Sequence, residues 1–266
     1  MRNTIKTVIL DWAGTTVDYG CFAPVDAFMT AFAYVGIMPT MEETRAPMGM
    51  QKRAHIEQML SVERLSVLWK EKHGRTHTQQ DIDDIYAQFE PALFAVLSSH
   101  ADPLPGVLDA VAEIRKMGIA IGSTTGYTRA MMDVVVPLAK AKGYSPDCMV
   151  CPDDANGIGR PHPYMVWRNL ERLGARSIGE TLKIGDTAAD IHEGKNAGCL
   201  SVGVLKGSSM LGLTEEELSS MSHAEARTLF DAARQNYMDA GADYVIADIT
   251  ALPDLITSIN TRAANH

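Results

Sequence analysis

Short apolar runs alternate with amphipathic stretches through the last two thirds of the chain, a pattern that predicts strands separated by helices. The predicted strands are Thr7 to Leu10, Ala120 to Ser123, Cys148 to Cys151, Leu182 to Ile184, Leu200 to Val204 and Tyr244 to Ile246. Between them, Val107 to Met117, Arg129 to Lys142, Pro163 to Leu173 and Ala189 to Ala197 carry apolar residues at helical spacing. Gly118, Gly143, Gly174 and Gly198 close these four segments, as glycine does where a helix ends in the left-handed conformation. The repeated unit of strand, helix and glycine predicts an α/β fold with a doubly wound, mostly parallel sheet. Thr214 with Glu217 forms a capping-box pattern that starts a further helix over Glu215 to Ala240, in one or two pieces.

The stretch from Cys21 to His100 has a different texture. Val25 to Gly36, Met41 to Arg45, Lys52 to Trp69 and Gln79 to Leu97 read as helices, with no convincing strand among them. The pattern predicts an all-helical cap over residues 21–100, inserted into an α/β core of residues 1–20 and 101–266. An insertion between the first two strands emerges at their carboxyl ends, where such sheets bind ligands, so the cap can serve as a lid. Boundaries near Tyr19 and at Ala101-Asp102-Pro103-Leu104-Pro105-Gly106 fit, because proline and glycine mark hinges and loops. The first cap helix, with Phe28, Met29, Phe32 and Val35, is apolar on more than one side. It either packs within the cap or contacts a second subunit.

Composition narrows the function. A chain of 266 residues, 46% hydrophobic, can bury a sizeable core. Its formal charge of -9 argues against a general nucleic-acid or anionic-membrane binder, so any phosphate site must be local. The apolar run at Thr7 to Leu10 is cut short by Asp11, too soon for a signal peptide or a membrane span, and a cytoplasmic chain is expected. Four cysteines do not suggest a disulfide framework. Cys148-Met149-Val150-Cys151 has the spacing of a redox or zinc pair, but no second pair accompanies it. Residues three apart on a strand also point to opposite faces, which favours a structural reading.

Four loops at predicted strand ends each offer one item of chemistry. Asp11-Trp12-Ala13-Gly14-Thr15-Thr16 supplies a carboxylate. Ser123-Thr124-Thr125-Gly126-Tyr127 supplies the Thr125 hydroxyl and amides at a helix start, suited to phosphoryl oxygens or to simple capping. Gly159-Arg160-Pro161-His162-Pro163 places a cation just before a helix, although a lone arginine is usually a solvated surface residue. Lys183-Ile184-Gly185-Asp186-Thr187-Ala188-Ala189-Asp190 places two acids four apart; they can cap the helix or, with Asp11, hold a hard divalent ion such as Mg²⁺.

In this order, the four loops resemble the haloacid dehalogenase superfamily of phosphoryl-transfer enzymes. Its pattern of nucleophilic Asp, Ser/Thr, Lys/Arg and paired acids falls on Asp11, Thr125, Arg160, Asp186 and Asp190. Ala13 departs from the pattern: phosphatase members carry there the acid that protonates an alcohol leaving group. Ala46-Pro47-Met48-Gly49-Met50-Gln51-Lys52-Arg53-Ala54-His55 adds a lysine beside a glycine turn, with His55 on the same helical face. Apolar neighbours and a second cation, Arg53 or Arg45, would lower the lysine pKa and leave free amine for a carbonyl; the plain alternative is an exposed helix lysine. If carbon is the leaving atom, no oxygen waits for a proton, and Ala13 and Lys52 explain one another.

The runs Asp11 to Cys21, Pro47-Met48-Gly49 followed by Lys52, Gly122 to Arg129 and Gly185-Asp186-Thr187 are similar to the phosphonoacetaldehyde hydrolase family. The resemblance implies a Mg²⁺-dependent homodimer that splits a small phosphonate, phosphonoacetaldehyde, into acetaldehyde and phosphate during 2-aminoethylphosphonate breakdown. It implies Asp11 as nucleophile, Lys52 as imine former, and Asp11, Asp186 and the Ala13 carbonyl as metal ligands. Thr125, Gly126 and Arg160 would hold the phosphoryl group, with His55 as proton shuttle, Met48 and Cys21 as pocket wall and Tyr127 as a contact to the cap. Asp190 and Thr187 would orient the metal ligands from behind. The competing readings are a phosphatase or phosphomutase, which would lack its acid; a dehalogenase, which would not need Asp186 and Asp190; and an inactive phosphate-binding protein.

Overall fold

A computed structural model describes residues 4–265. Its sheet holds six strands: β1 (Thr7–Leu10), β2 (Ala120–Thr124), β3 (Cys148–Val150), β4 (Thr181–Gly185), β5 (Leu200–Val204) and β6 (Tyr244–Ile246). Every pairing is parallel, in the order β3-β2-β1-β4-β5-β6. The doubly wound α/β expectation therefore stands. Alternation along β1 divides the core: Val8 and Leu10 pack on one side of the sheet with Val111 and Ile114, whereas Ile9 meets Val166 and Ala197 on the other.

Five helices lie between β1 and β2: α1 (Phe22–Tyr34), α2 (Met41–Arg45), α3 (Lys52–Ser61), α4 (Glu63–His73) and α5 (Gln79–Leu97). The remainder are α6 (Val107–Lys116), α7 (Arg129–Ala141), α8 (Tyr164–Leu173), α9 (Ala188–Ala197), α10 (Glu215–Ser220), α11 (His223–Asp239) and α12 (Leu252–Ala264). The single helix expected over Lys52 to Trp69 is two, because Val62 is extended (φ -63°, ψ 131°) and turns the axis. Hydrophobic spacing runs through such a break unchanged, so the pattern could not register it. The Thr214 capping box is present, and the helix after it ends at Ser220 before α11 restarts on a second box at Ser222 and Glu225. The C-terminal α12 was not anticipated.

Phe28 and Phe32 of α1 are fully buried, with Phe28 stacked on Phe89 of α5 at 4.3 Å. The apolar surface left open near the end of α1 is Tyr34, Met38 and Met41. The two crossings between sheet and helices run side by side: Val17 bridges Pro103, and Leu104 N donates to Thr16 O at 2.9 Å. Asp18 on one crossing faces His100 on the other at 4.0 Å, and its carboxylate accepts from the first α1 amides, Phe22 N and Ala23 N. All four cysteines are free. No helix among the described residues is long and apolar enough to cross a membrane.

Candidate active site

Register alone brings three of the loops to one level. Leu10 of β1 lies opposite Ser123 of β2 and Ile184 of β4, so Asp11, Thr124 and Gly185 follow at the same height on the carboxyl edge. Asp11 is anchored by its own amide, which donates to Ile184 O at 3.0 Å, and by Thr16 Oγ1, which donates to Asp11 O at 2.8 Å. Trp12 turns inward, donating Nε1–H to Ser123 Oγ at 2.9 Å, and this leaves Ala13 on the lining of the cavity. Gly14 is a position where no side chain fits: a Cβ there would lie 2.2 Å from Asp186 Oδ2, at φ +84°.

Asp11, Asp186 and Asp190 are buried, and they offer oxygens within 4.8 Å of one another. It is the only cluster among the described residues in which three or more His, Cys, Asp or Glu side chains could share a metal ion. Asp186 accepts from Ser209 N at 2.8 Å; burial, then the charges of Asp11 and Asp190, push its carboxyl well above the ordinary range. Burial acts the same way on Asp190, but Arg160 and Lys183 prevail and hold it below the ordinary value. Its Oδ1 lies 2.5 Å from Lys183 Nζ and 3.0 Å from Arg160 Nη2, while Oδ2 accepts from Thr187 Oγ1 at 2.6 Å. The Ala13 carbonyl accepts no hydrogen bond from any described residue.

Arg160 is not a surface residue. It is buried, with Nη2 2.6 Å from Asp11 Oδ1 and 2.9 Å from Thr124 Oγ1, and Nε 3.0 Å from Glu193 Oε2. Thr125 is buried, and its Oγ1 accepts from Tyr127 N at 3.1 Å; the cap of α7 is Thr128 instead, which leaves Thr125 free of the capping alternative.

From the helical segment, Lys52 comes down onto this edge. It is 4% exposed, has no hydrogen-bond or ion-pair partner among the described residues, and its Nζ lies 5.0 Å from the Tyr127 ring and 5.8 Å from that of Phe28. Burial is the main force lowering its pKa, and the Arg160 charge adds to it against the pull of Cys21 and Asp11. The second cation is therefore Arg160 rather than Arg53 or Arg45. Arg53 turns away to Asp83 and Gln79, and Arg45 donates to the carbonyls of Gly20 and Ser209.

His55 is fully buried but is not part of the cavity wall. Its ring stacks on Phe28 at 3.9 Å and its Nε2–H donates to Thr44 O at 2.8 Å, so Nδ1 carries the lone pair and has no partner. Burial, then Lys52, keep it neutral.

Asp11, Ala13, Cys21, Met48, Lys52, Thr125, Gly126, Tyr127, Arg160, Asp186 and Thr187 together line a cavity of about 20 Å³. That is room for about one water molecule, so the site is closed. A wider groove of about 530 Å³ adjoins it along the seam between the helices and the sheet, sharing Met48 and Thr187 and bordered by Arg45 and His192. The 440 Å³ depression at Ala155, Tyr164 and Trp167 holds no comparable set of buried acids and cations.

A sequence model of the haloacid dehalogenase-like hydrolases matches residues 5–198, and a second model of similar hydrolases matches residues 157–251. The chain is 46% identical over 98% of its length to a phosphonoacetaldehyde hydrolase of Lysinibacillus sphaericus, of which it covers 97%. The chain belongs to the phosphonoacetaldehyde hydrolase family of haloacid dehalogenase-like hydrolases. It is also 46% identical, over 97% of its length, to the bifunctional phosphonoacetaldehyde hydrolase/aminoethylphosphonate transaminase of Clostridioides difficile, and it spans 40% of that longer protein. The crystal structure of a phosphonoacetaldehyde hydrolase-like protein from Oleispira antarctica superposes with a TM-score of 0.95 at 34% identity, covering 99% of this chain and 95% of that one.

Within this phosphonoacetaldehyde hydrolase-family fold, sequence reasoning missed Thr124, Lys183 and Glu193, which surround Arg160 and Asp190. Lys183 did carry a signal: it is a lysine inside the apolar run Leu182 to Ile184, and a charge buried there requires a partner. Glu193 lies three residues after Asp190, on the same helical face.

Proposed function

We propose that the chain hydrolyses the carbon–phosphorus bond of phosphonoacetaldehyde, giving acetaldehyde and phosphate in the breakdown of 2-aminoethylphosphonate. One observation carries the reading: an unpaired, buried lysine shares a cavity too small for substrate with Asp11, in a site whose acid position is Ala13. A buried lysine without a carboxylate partner is costly to charge, and the lowered pKa favours the free amine that attacks a carbonyl.

Lys52 condenses with the aldehyde, releasing one water and giving a protonated imine. Asp11 attacks phosphorus; the carbon–phosphorus electron pair passes to carbon and into the imine, so an enamine leaves and no acid is required of residue 13. Water cleaves the aspartyl phosphate and restores Asp11. The enamine is protonated at carbon, a second water hydrolyses the imine, and acetaldehyde departs from Lys52. The net consumption is one water. Arg160 and Thr125 hold the phosphoryl oxygens, with Gly126 contributing an amide and Met48, Cys21 and Tyr127 shielding the imine. His55, neutral and stacked on Phe28 off the cavity wall, does not touch the reacting atoms; its unpartnered Nδ1 is where a proton shuttled to or from Lys52 would rest in passing.

The donor set fits Mg²⁺. Four buried carboxylates, Asp11, Asp186, Asp190 and Glu193, face two buried cations, Arg160 and Lys183, so a divalent ion would restore the balance. Asp11, Asp186 and the Ala13 carbonyl would hold it, with Asp190 and Thr187 behind them. Bound there, the ion would neutralise charge between the attacking carboxylate and the phosphoryl oxygens.

Phosphonoacetaldehyde and Mg²⁺ should yield equal amounts of acetaldehyde and phosphate, and Lys52→Arg and Asp11→Ala should abolish both. Borohydride added with substrate should leave a mass increment on Lys52; turnover with Lys52 unmodified would overturn the imine step. A homodimer is also part of this reading, and a mass measurement in solution tests it.

A further inference from the structure

Behind the phosphoryl pocket, a buried acid has no task in the reaction just described. Glu193 on α9 is fully buried, and its Oε2 accepts from Arg160 Nε at 3.0 Å and from Thr124 Oγ1 at 2.9 Å, with Lys183 Nζ 3.6 Å away. Its other oxygen, Oε1, has no partner. Stability alone would favour an apolar side chain here, because desolvating a carboxylate and leaving one oxygen unpaired is unfavourable.

The reason lies in the shape of arginine. A guanidinium is a planar fork, so its two terminal nitrogens cannot be aimed independently; holding Nε sets the plane for both. In this site Nη2 already lies 2.6 Å from Asp11 Oδ1, 2.9 Å from Thr124 Oγ1 and 3.0 Å from Asp190 Oδ1. Nη1 has no partner among the described residues, and Arg160 lines the cavity.

We propose that Glu193 is a positioning residue for phosphoryl transfer: it fixes Arg160 through Nε, so that Nη2 bridges Asp11 and Asp190 and Nη1 is left for a phosphoryl oxygen. A lysine at position 160 would need no such guide, since an ammonium group is a point charge without a plane. The inference rests on the roles given above to Asp11 and Arg160.

The test is a double-mutant cycle with Glu193→Gln and Arg160→Lys, each checked by thermal melting. Two quantities are measured: kcat with phosphonoacetaldehyde, and the dissociation constant of inorganic phosphate by calorimetry in the presence of Mg²⁺. With Arg160 present, Glu193→Gln should lower kcat and weaken phosphate binding by about tenfold each, the difference between a charged and a neutral hydrogen bond. In the Arg160→Lys background the same change should alter either by less than about twofold, because no Nε–H remains to be held. Equal losses in both backgrounds, or a loss below twofold with Arg160 present, would overturn the inference. If Glu193→Gln does not fold, Glu193→Asp shortens the reach while keeping the charge and carries the same cycle. Should the native chain leave phosphonoacetaldehyde intact, the proposed substrate fails, while the phosphate cycle still decides the role of Glu193.

Discussion

Gly49 offers the sharpest test of the closed site, because one added methyl group acts at two separable places. It sits in the loop before α3 at φ +85°, and a Cβ there would lie 2.2 Å from Thr187 Oγ1 and 3.0 Å from Thr187 Cβ. Left-handed backbone costs an alanine about 1–2 kcal/mol whether or not the helices rest on the sheet. The clash with Thr187 exists only while they do, and such overpacking costs about 1–3 kcal/mol. Substrate cannot enter a cavity of about 20 Å³, so the site must open and close in each turnover. The clash therefore falls on the closed state alone, and at about 1.4 kcal/mol per decade Gly49→Ala should lower kcat/KM by about 5- to 150-fold.

Gly74→Ala supplies the control. Gly74 ends α4 at φ +69°, and a Cβ added there would meet nothing within 4 Å, so it carries the same backbone strain without the clash. Both variants should melt below the native chain, and only Gly49→Ala should lose kcat/KM, measured by acetaldehyde release. A Gly49→Ala enzyme within twofold of native, or a Gly74→Ala enzyme equally impaired, would refute the reasoning.

Three other outcomes follow from the same geometry. Burial raises the Asp18 carboxyl from 3.8 to about 6 against the pull of His100, so the folded chain binds the extra proton and this contribution to stability is lost as pH rises from about 4 to 6. Asp18→Asn keeps an acceptor for one of the Phe22 and Ala23 amides and loses the other bond, a cost that does not depend on pH, so its stability relative to native should grow across that window by on the order of 3 kcal/mol in denaturant titrations; a relative fall would contradict the assignment. Mg²⁺ at a hundredfold excess over its dissociation constant should stabilise the native chain by about 2.7 kcal/mol, visible as a higher melting temperature, and Asp186→Asn should lose most of that gain. Arg45→Ala removes a clasp from α2 to Gly20 O (2.7 Å) and Ser209 O (3.4 Å), so proteolysis near residues 18–21 and 98–106 should quicken; an unchanged cleavage rate would exclude the clasp.

The strands and their chemistry were readable because each site loop follows a strand end. A parallel sheet places all its carboxyl ends on one edge, so Asp11, Thr125 and Asp186 converge whatever the helices do between them. The apolar runs marked the strands, and glycines at Gly118, Gly143, Gly174 and Gly198 marked the helix ends, where the backbone is left-handed. The chemical argument from Ala13 to Lys52 needed residue identities and the superfamily pattern that gives position 13 its meaning, but no tertiary contact.

Burial and partnership were not readable, since both are set by residues far apart in the chain. Lys52 and Arg160 each have an ordinary surface reading in isolation; packing removes both from water, leaves the lysine unpaired and encloses the arginine among Asp11, Asp190 and Glu193. Arg53, adjacent to Lys52 in sequence, points elsewhere, and the cation that shares the lysine's surroundings is over a hundred positions away. Periodicity records which face of an element is apolar, not which element lies against it. The sequence by itself thus determined the α/β frame and the reacting groups, whereas only the tertiary structure decided their charge states and closed the cavity around them, because desolvation and long-range ion pairs arise only when the chain is folded.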